Sequence, residues 1–502
     1  MTAVVLPSTG APSTSKTWDS INWKTATAEV RRLQMRIAKA YREGRYGKAK
    51  AMQWLLTHSF YAKVLAVKRV TQNKGASTPG VDKITWVTPK QKMDAALSLK
   101  RQGYKTQPLR RIYIPKKTGD LRPLSIPVMN CRGQQALHLL ALDPIAETIA
   151  DKNTYGFRPL RSTADALEQC FISLSKTNSA QYILEGDIKS CFDTISHSWL
   201  LKHVPMDKII LKKWLSAGYM DKGELYSTEQ GTPQGGVCSP TLLNITLSGL
   251  EKAVKTATKR ADKVNVTVYA DDFVITGASE EVLMNKVTPV VESFLMERGL
   301  VLSKEKTKIT HINDGFDFLG VNCRKYNGKL IRKPAKDNVK RFLNNLRETV
   351  RRNKTAKTEN LIAWLNPKII GWANYHRPYC SKITFKYVSK QIFDALWRWS
   401  IKRHPNKSMQ WVRQRYFCSR GHRNWVFFSK GKLPSGKDKF LELREISHTS
   451  IRRHIKFRAE ATPYDPAYKE YITNRLERRR NKALFRPCKE QWSAWWELTP
   501  SE

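Results

Sequence analysis

Three acidic residues carry the most chemical information in this chain. Asp187 ends a strand-like run, QYILEGD, and the adjacent pair Asp271-Asp272 sits inside the valine-rich stretch VNVTVYADDFVIT. Neighbouring carboxylates repel each other, so two acids in a tight turn are costly unless a cation shares the site. Oxygen-only ligands suit Mg²⁺, which keeps part of its water and shares its coordination with substrate phosphates. Two such ions roughly 3.5–4 Å apart would activate an attacking 3′-oxygen and stabilise a departing pyrophosphate, and that reaction is nucleotidyl transfer. An isolated Asp-Asp pair is common in surface turns; its setting between two strands makes this one a candidate centre.

The elements around the acids can be read from period and punctuation. Val264, Val266 and Val268 alternate with Asn265, Thr267 and Tyr269, which predicts a strand closing in a hairpin turn at Ala270-Asp271-Asp272. Residues 180–193 read as a strand running into the acidic turn that holds Asp187. Residues 108–127 read as a basic hairpin around Lys117–Asp120, with Arg110, Arg111, Lys116, Lys117 and Arg122 crowding positive charge onto one small element suited to phosphate. In GTPQGGVCSP (231–240), the glycines allow close backbone approach to a ligand, Ser239 is a candidate N-cap and Pro240 the first residue of an apolar helix.

Two helices are expected over 22–68, others over 132–150, 162–176 and 280–298, and a last short strand at 315–321. The alternation is irregular, which favours an α+β sheet with helices on one face. Beyond residue 335, helices over 336–353, 357–375 and 383–402 form a predicted bundle with Trp364, Trp372, Trp397 and Trp399 as core. Residues 427–440 read as a loop or linker, 444–486 as a very basic segment, and the first 16 residues as a mobile tail.

The chain has 502 residues and 89 Lys and Arg against 43 Asp and Glu, a formal net charge of +46. A hydrophobic fraction of 41% with 15 Trp is enough to build cores, so this is no disordered basic tail. Surplus cations on a folded chain point to a polyanionic partner. The excess is uneven: 43 basic and 14 acidic side chains put +29 in residues 321–502 and +17 in the first 320. Eight scattered cysteines suggest neither a zinc ribbon nor a disulfide framework, and no apolar run is long enough to span a membrane.

The motifs resemble, in order, those of the reverse transcriptases encoded by bacterial and organellar group II introns, also called maturases. TPGVD (78–82), IPKKTGDLRPLSIP (114–127), YGFRPLRS (155–162), DIKSCFD (187–193), GTPQGGVCSP (231–240), YADD (269–272), GLVLSKEKTK (299–308) and GFDFLG (315–320) carry the resemblance. GWANY (371–375), RHPNKS (403–408) and IRRHIKFRAEATPYDP (451–466) resemble the family's maturase and DNA-binding regions.

The resemblance implies an α+β right-hand polymerase. Its parts would be a helical extension of the fingers at 17–69, fingers and palm at 70–330, an α-helical thumb or maturase domain at 331–426, and a basic DNA-binding region at 427–502. It implies that Asp187 and Asp271 hold two Mg²⁺ ions with Asp272 in support, and that Phe192 is the gate that excludes a 2′-hydroxyl. Lys116 and Arg122 would grip the triphosphate, and Pro233, Gln234 and Gly235 would touch nucleotide and template. Expected partners are group II intron RNA, an RNA template with a DNA primer, target DNA and deoxynucleoside triphosphates, with no membrane, in a bacterial cytoplasm or an organelle. The family's HNH endonuclease signature is missing after His454, so no second-strand cleavage is expected. The rivals are an RNA-binding splicing cofactor without polymerase activity and a domesticated or defence-associated reverse transcriptase.

Overall fold

The computed structural model describes residues 17–115, 121–432 and 438–484. The expectations for the first 16 residues, for Lys116 and Lys117 and for the stretch after 484 fall outside these.

The centre is a four-stranded antiparallel sheet of Asn265–Tyr269, Asp272–Gly277, Tyr182–Asp187 and Lys308–His311, in that spatial order. Its register sets Asp187 opposite Asp272 and Tyr269 opposite the same Asp272. Helices cover both faces, not one as expected. Leu184, Val266, Val268, Phe273 and Ile275 pack with residues of the Ser239–Leu247, Leu250–Thr256 and Thr288–Met296 helices. On the other face Ile183 and Val274 meet Ala166, Leu167, Cys170 and Leu174 of the Thr163–Leu174 helix. Thr267 misled the pattern: it is polar yet buried, and the side chain of Cys170 bonds to it.

Ahead of the sheet, three helices rather than two, Trp23–Arg42, Tyr46–His58 and Phe60–Gln72, pack with the long Met129–Ile149 helix. The break between the last two falls at Ser59, whose ψ of 131° is extended. The basic hairpin pairs Leu109–Pro115 with Leu121–Ile126 in antiparallel register. The predicted strand at 315–321 is two strands, since Leu319 and Gly320 both take positive φ and turn Phe316–Phe318 into Val321–Tyr326.

Helices Lys336–Arg352, Thr358–His376 and Lys382–Arg403 form the expected bundle. Trp399 is buried in it and Trp372 and Trp397 are half-buried, but Trp364 is exposed. Of the expected linker at 427–440, the described residues 427–432 and 438–440 instead belong to a three-stranded sheet of Phe417–Arg420, Arg423–Lys432 and Asp438–Glu442, with Phe427 in the bundle's core. Its many Lys and Gly residues hid alternation that only one apolar face supplies.

The basic segment after 450 runs back onto the central domain. Asp165 is fully buried and stands 2.7 Å from His454 Nε2, accepts the Phe457 amide at 2.7 Å and lies 3.4 Å from Arg475. Arg161 donates to the carbonyls of Ala459 and Ala461, and Arg42 pairs with Asp465.

Candidate active site

The three acids meet at one end of the central sheet. Tyr269 and Asp272 close an antiparallel pair around the two-residue turn Ala270-Asp271, and Ala270 takes φ +58°. Two-residue hairpins require such left-handed backbone, which costs a non-glycine residue strain and is held only by its surroundings. The surroundings are visible: Tyr155 N donates to Val268 O at 2.9 Å, Val268 N donates to Asn153 O at 3.0 Å, and Asn244 Nδ2 fixes Gly156 O at 3.0 Å. Tyr155 and Gly156 are therefore scaffold beneath the acidic turn. Arg158 is buried, bonded to Glu147 at 2.7 and 3.1 Å and to the carbonyls of Asp151 and Thr154, so it faces no substrate.

Asp187 is brought alongside by the segment 299–308. Ser303 N donates to Asp187 O at 2.8 Å and Lys189 N to Val301 O at 2.9 Å, a short pairing that sets Lys306 over the acids. Lys306 Nζ lies 2.9 Å from Asp187 Oδ2. That bond, and then the charges of Asp187, Asp272 and Asp271, raise the lysine pKa above its ordinary value. Cys191, buried directly behind, has its thiol pushed up first by burial and then by Asp271, Asp187 and Asp193. The fields of the acids thus converge, and an ammonium already occupies the position of a counter-cation.

A divalent cation fits this site. The donors are carboxylate oxygens on adjacent strand ends, the class that hard cations prefer. Among the described residues no group of three or more His, Cys, Asp or Glu side chains stands in an arrangement that could by itself hold a metal ion.

The glycine loop docks on the turn after Asp187. Thr232 N donates to Phe192 O at 2.6 Å, and Gln234 Nε2 donates to Asp193 Oδ2 at 3.2 Å. Ser125 N, on the basic hairpin, donates to Gln234 O at 2.8 Å. Gly235 has φ +117°, and a Cβ there would stand 3.0 Å from Ser125 O, so the site needs glycine on both counts. Pro233 accepts the Ser239 hydroxyl at 2.8 Å. Ser239 is consequently the first helical residue and not the expected N-cap, which is Cys238. Phe192 is half-buried, its ring edge-on to Phe157 at 6.4 Å between centroids. Arg122 is exposed on its strand opposite Ile114; Lys116 lies outside the described residues.

Sequence reasoning missed Lys306: a lysine among three in GLVLSKEKTKIT has no local mark, and only the pairing of 301 with 189 singles it out. It also undervalued Phe157, which is exposed at φ +58° beside Phe192.

The chain matches three family models: Reverse transcriptase (RNA-dependent DNA polymerase) over residues 114–323, N-terminal domain of reverse transcriptase over 18–99, and Group II intron, maturase-specific domain over 339–417. It is 32% identical to Protein YkfC of Escherichia coli K12 over 342 residues, 59% of this chain and 87% of YkfC. It is 36% identical to Group II intron-encoded protein LtrA of Lactococcus lactis subsp. cremoris over 212 residues, 40% of this chain and 34% of LtrA. A Putative COX1/OXI3 intron 2 protein of Saccharomyces cerevisiae is 32% identical over 199 residues, 38% of this chain and 23% of that protein. The chain thus spans most of YkfC but about a third of LtrA. No helix among the described residues is long and apolar enough to cross a membrane. With both a reverse transcriptase and a maturase-specific region matched in one chain, the protein belongs to the group II intron-encoded reverse transcriptase/maturase family, whose enzymes are RNA-directed DNA polymerases.

Proposed function

We propose that the protein extends a DNA primer on an RNA template at the Asp187–Asp271–Asp272 centre, and that it also binds group II intron RNA to promote splicing and target-primed insertion. The observation that carries the reading is the convergence of the three acids around a cation at the open end of the sheet. Asp187 and Asp271 would hold two Mg²⁺ ions, with Asp272 adding negative field. Bound there, the ions would supply Lewis-acid stabilisation of the attacking 3′-oxygen and of the leaving pyrophosphate.

The remaining steps belong to side chains. Phe192, steadied by Phe157, packs against the sugar and leaves no room for a 2′-hydroxyl. Arg122 and Lys116 neutralise the triphosphate. Pro233, Gln234 and Gly235 bring bare backbone against nucleotide and template, and Gln234 ties that loop to the turn bearing Phe192. Lys306, 2.9 Å from Asp187, would supply an ammonium to the departing phosphates.

Fingers and palm at 70–330, a thumb at 331–426 and a basic DNA-binding region from 427 remain our assignment. It is supported by the separate cores of the sheet and bundle and by the matched family regions. Primer extension on an RNA template, with Mg²⁺ titrated against EDTA, tests the polymerase reading. Mg²⁺-dependent incorporation of deoxynucleotides is expected; extension that survives complete chelation would contradict it.

A further inference from the structure

At the end of the central sheet opposite the acids lies an open cleft of about 490 Å³ that no step above uses. Its walls come from the end of the Thr163–Leu174 helix and the loop after it, and from the stretch that enters the Asn265–Tyr269 strand. Five exposed cations line it: Lys176, Lys255, Lys259, Arg260 and Lys263. No acid lines it. Of the neighbouring acids, Glu251 pairs with Lys255, one of the five, and Asp262 pairs with Lys286 and lies in the field of Lys259, so the charge of the cleft rests mainly on Lys176, Arg260 and Lys263.

Two features fix the backbone that carries two of these cations. Lys263 sits at φ +52°, a left-handed conformation that costs a lysine strain and fixes its direction of exit from the chain. Beneath the wall, Lys325 is buried and donates to Lys176 O at 2.9 Å and Ser179 Oγ at 2.8 Å, pinning the loop that carries Lys176. Burial, and then the Lys263 charge, lower the Lys325 pKa below its ordinary value, so the loop is braced by a sixth amine against existing repulsion. Such like-charge crowding is relieved by a bound polyanion.

The shape selects the anion. Lys176 stands on one wall and Lys255, Lys259, Arg260 and Lys263 on the other, a row of cations along one stretch of chain that fits a run of backbone phosphates better than one phosphate group. The exposed Asn178 amide offers a donor and an acceptor of the kind that read a 2′-hydroxyl, the Ser179 hydroxyl being already bonded to Leu174 O and Lys325, and Ile172 and Val264 provide apolar surface for a ribose or base edge. The six-residue strand from Tyr182 to Asp187 separates the cleft from the acids by roughly 20 Å at about 3.3 Å per residue, so one strand of RNA held here leaves the polymerase centre free.

We propose that this cleft is a second RNA-binding site, which grips the phosphodiester backbone of the intron RNA while primer and template occupy the acidic end. The proposal rests on the maturase reading above. The test uses the full-length protein with Lys176→Glu, Lys259→Glu and Lys263→Glu combined, and a matched triple Lys→Arg variant that preserves charge. A labelled group II intron transcript and a duplex DNA of equal charge are titrated at several salt concentrations, and primer extension on a short RNA template is measured in parallel.

The expected result is at least a tenfold weaker affinity of the Glu variant for the intron transcript. Its log–log salt slope should be shallower by roughly 0.7–0.9 per lost phosphate contact, with primer extension within twofold of wild type and the Arg variant unchanged. Equal intron binding by wild type and Glu variant would overturn the cleft, as would a loss confined to duplex DNA or one shared equally by primer extension. A wild type that does not bind the intron transcript at all would overturn the maturase reading itself, and the proposal with it.

Discussion

A Cβ built on Gly156 would stand 2.2 Å from the backbone nitrogen of Ala270, the residue directly before Asp271. The acidic turn therefore rests on a bare backbone, and the strained φ of Ala270 is maintained by what lies under it. Gly156→Ala must push the turn outward, since the neighbouring atoms are main chain and cannot swing aside. Overpacking of this kind costs about 1–3 kcal/mol, a loss the fold can survive. The prediction is a shift of several degrees in thermal unfolding with primer extension down at least 100-fold and intron RNA binding retained. Unchanged extension would show that Gly156 does not set the position of Asp271.

Arg158 and Glu147 should behave in the opposite way, as stability residues. The pair is almost wholly shielded from water, and Arg161 shares Glu147 at 2.9 Å. Removing one partner leaves a buried charge, at a cost of about 3–5 kcal/mol. Arg158→Ala should therefore lower the urea midpoint markedly, and any folded fraction should keep near-normal KM for the nucleotide. A large KM change at unchanged stability would restore a substrate role for Arg158.

The Asp165 hub predicts an acid-labile attachment of the basic segment after 450. Burial alone would raise the Asp165 pKa, but bonds to His454, Ser162 and the Phe457 amide outweigh it and hold the value at about 2. Because the folded value lies below the ordinary one of about 4, the stabilisation is complete above that ordinary value and is lost as pH falls through about 2. Asp165→Asn should expose residues 451–476 to limited proteolysis at pH 7, with the wild-type segment reaching comparable sensitivity only in strong acid. Equal protection of the variant at pH 7 would remove Asp165 as the anchor.

Phe192→Ala should admit ribonucleotides, with incorporation of a ribonucleoside triphosphate relative to its deoxy counterpart rising at least tenfold. Phe157→Ala should give a smaller rise through loss of the edge-on contact. Unaltered sugar discrimination in both would place the gate elsewhere.

The acids were legible because their surroundings in sequence are local: a strand, a two-residue turn and a strand occupy thirteen consecutive residues around Asp271, and period alone locates the turn. Lys306 and Gly156 were not, because each acts through a partner more than a hundred residues away, Asp187 and Ala270 respectively. The second face of the sheet was hidden by Thr267, a buried polar residue that the alternation assigned to solvent. The sheet at 417–442 was hidden by lysine-rich strands whose apolar side, Phe417 and Phe427, is sparse in the sequence but central to the bundle. The basic segment after 450 declared its charge but not its place, which depends on one buried carboxylate in a distant helix.

Asp271→Asn is the most direct test of the central claim that one acidic centre makes DNA while other surfaces hold the intron. It keeps the size of the side chain in the turn and removes its charge. Primer extension on an RNA template and affinity for a group II intron transcript are measured on the same preparation, beside wild type. The account predicts no detectable extension with intron affinity within twofold of wild type; extension at more than a few per cent of the wild-type rate, or loss of both activities together, would contradict it.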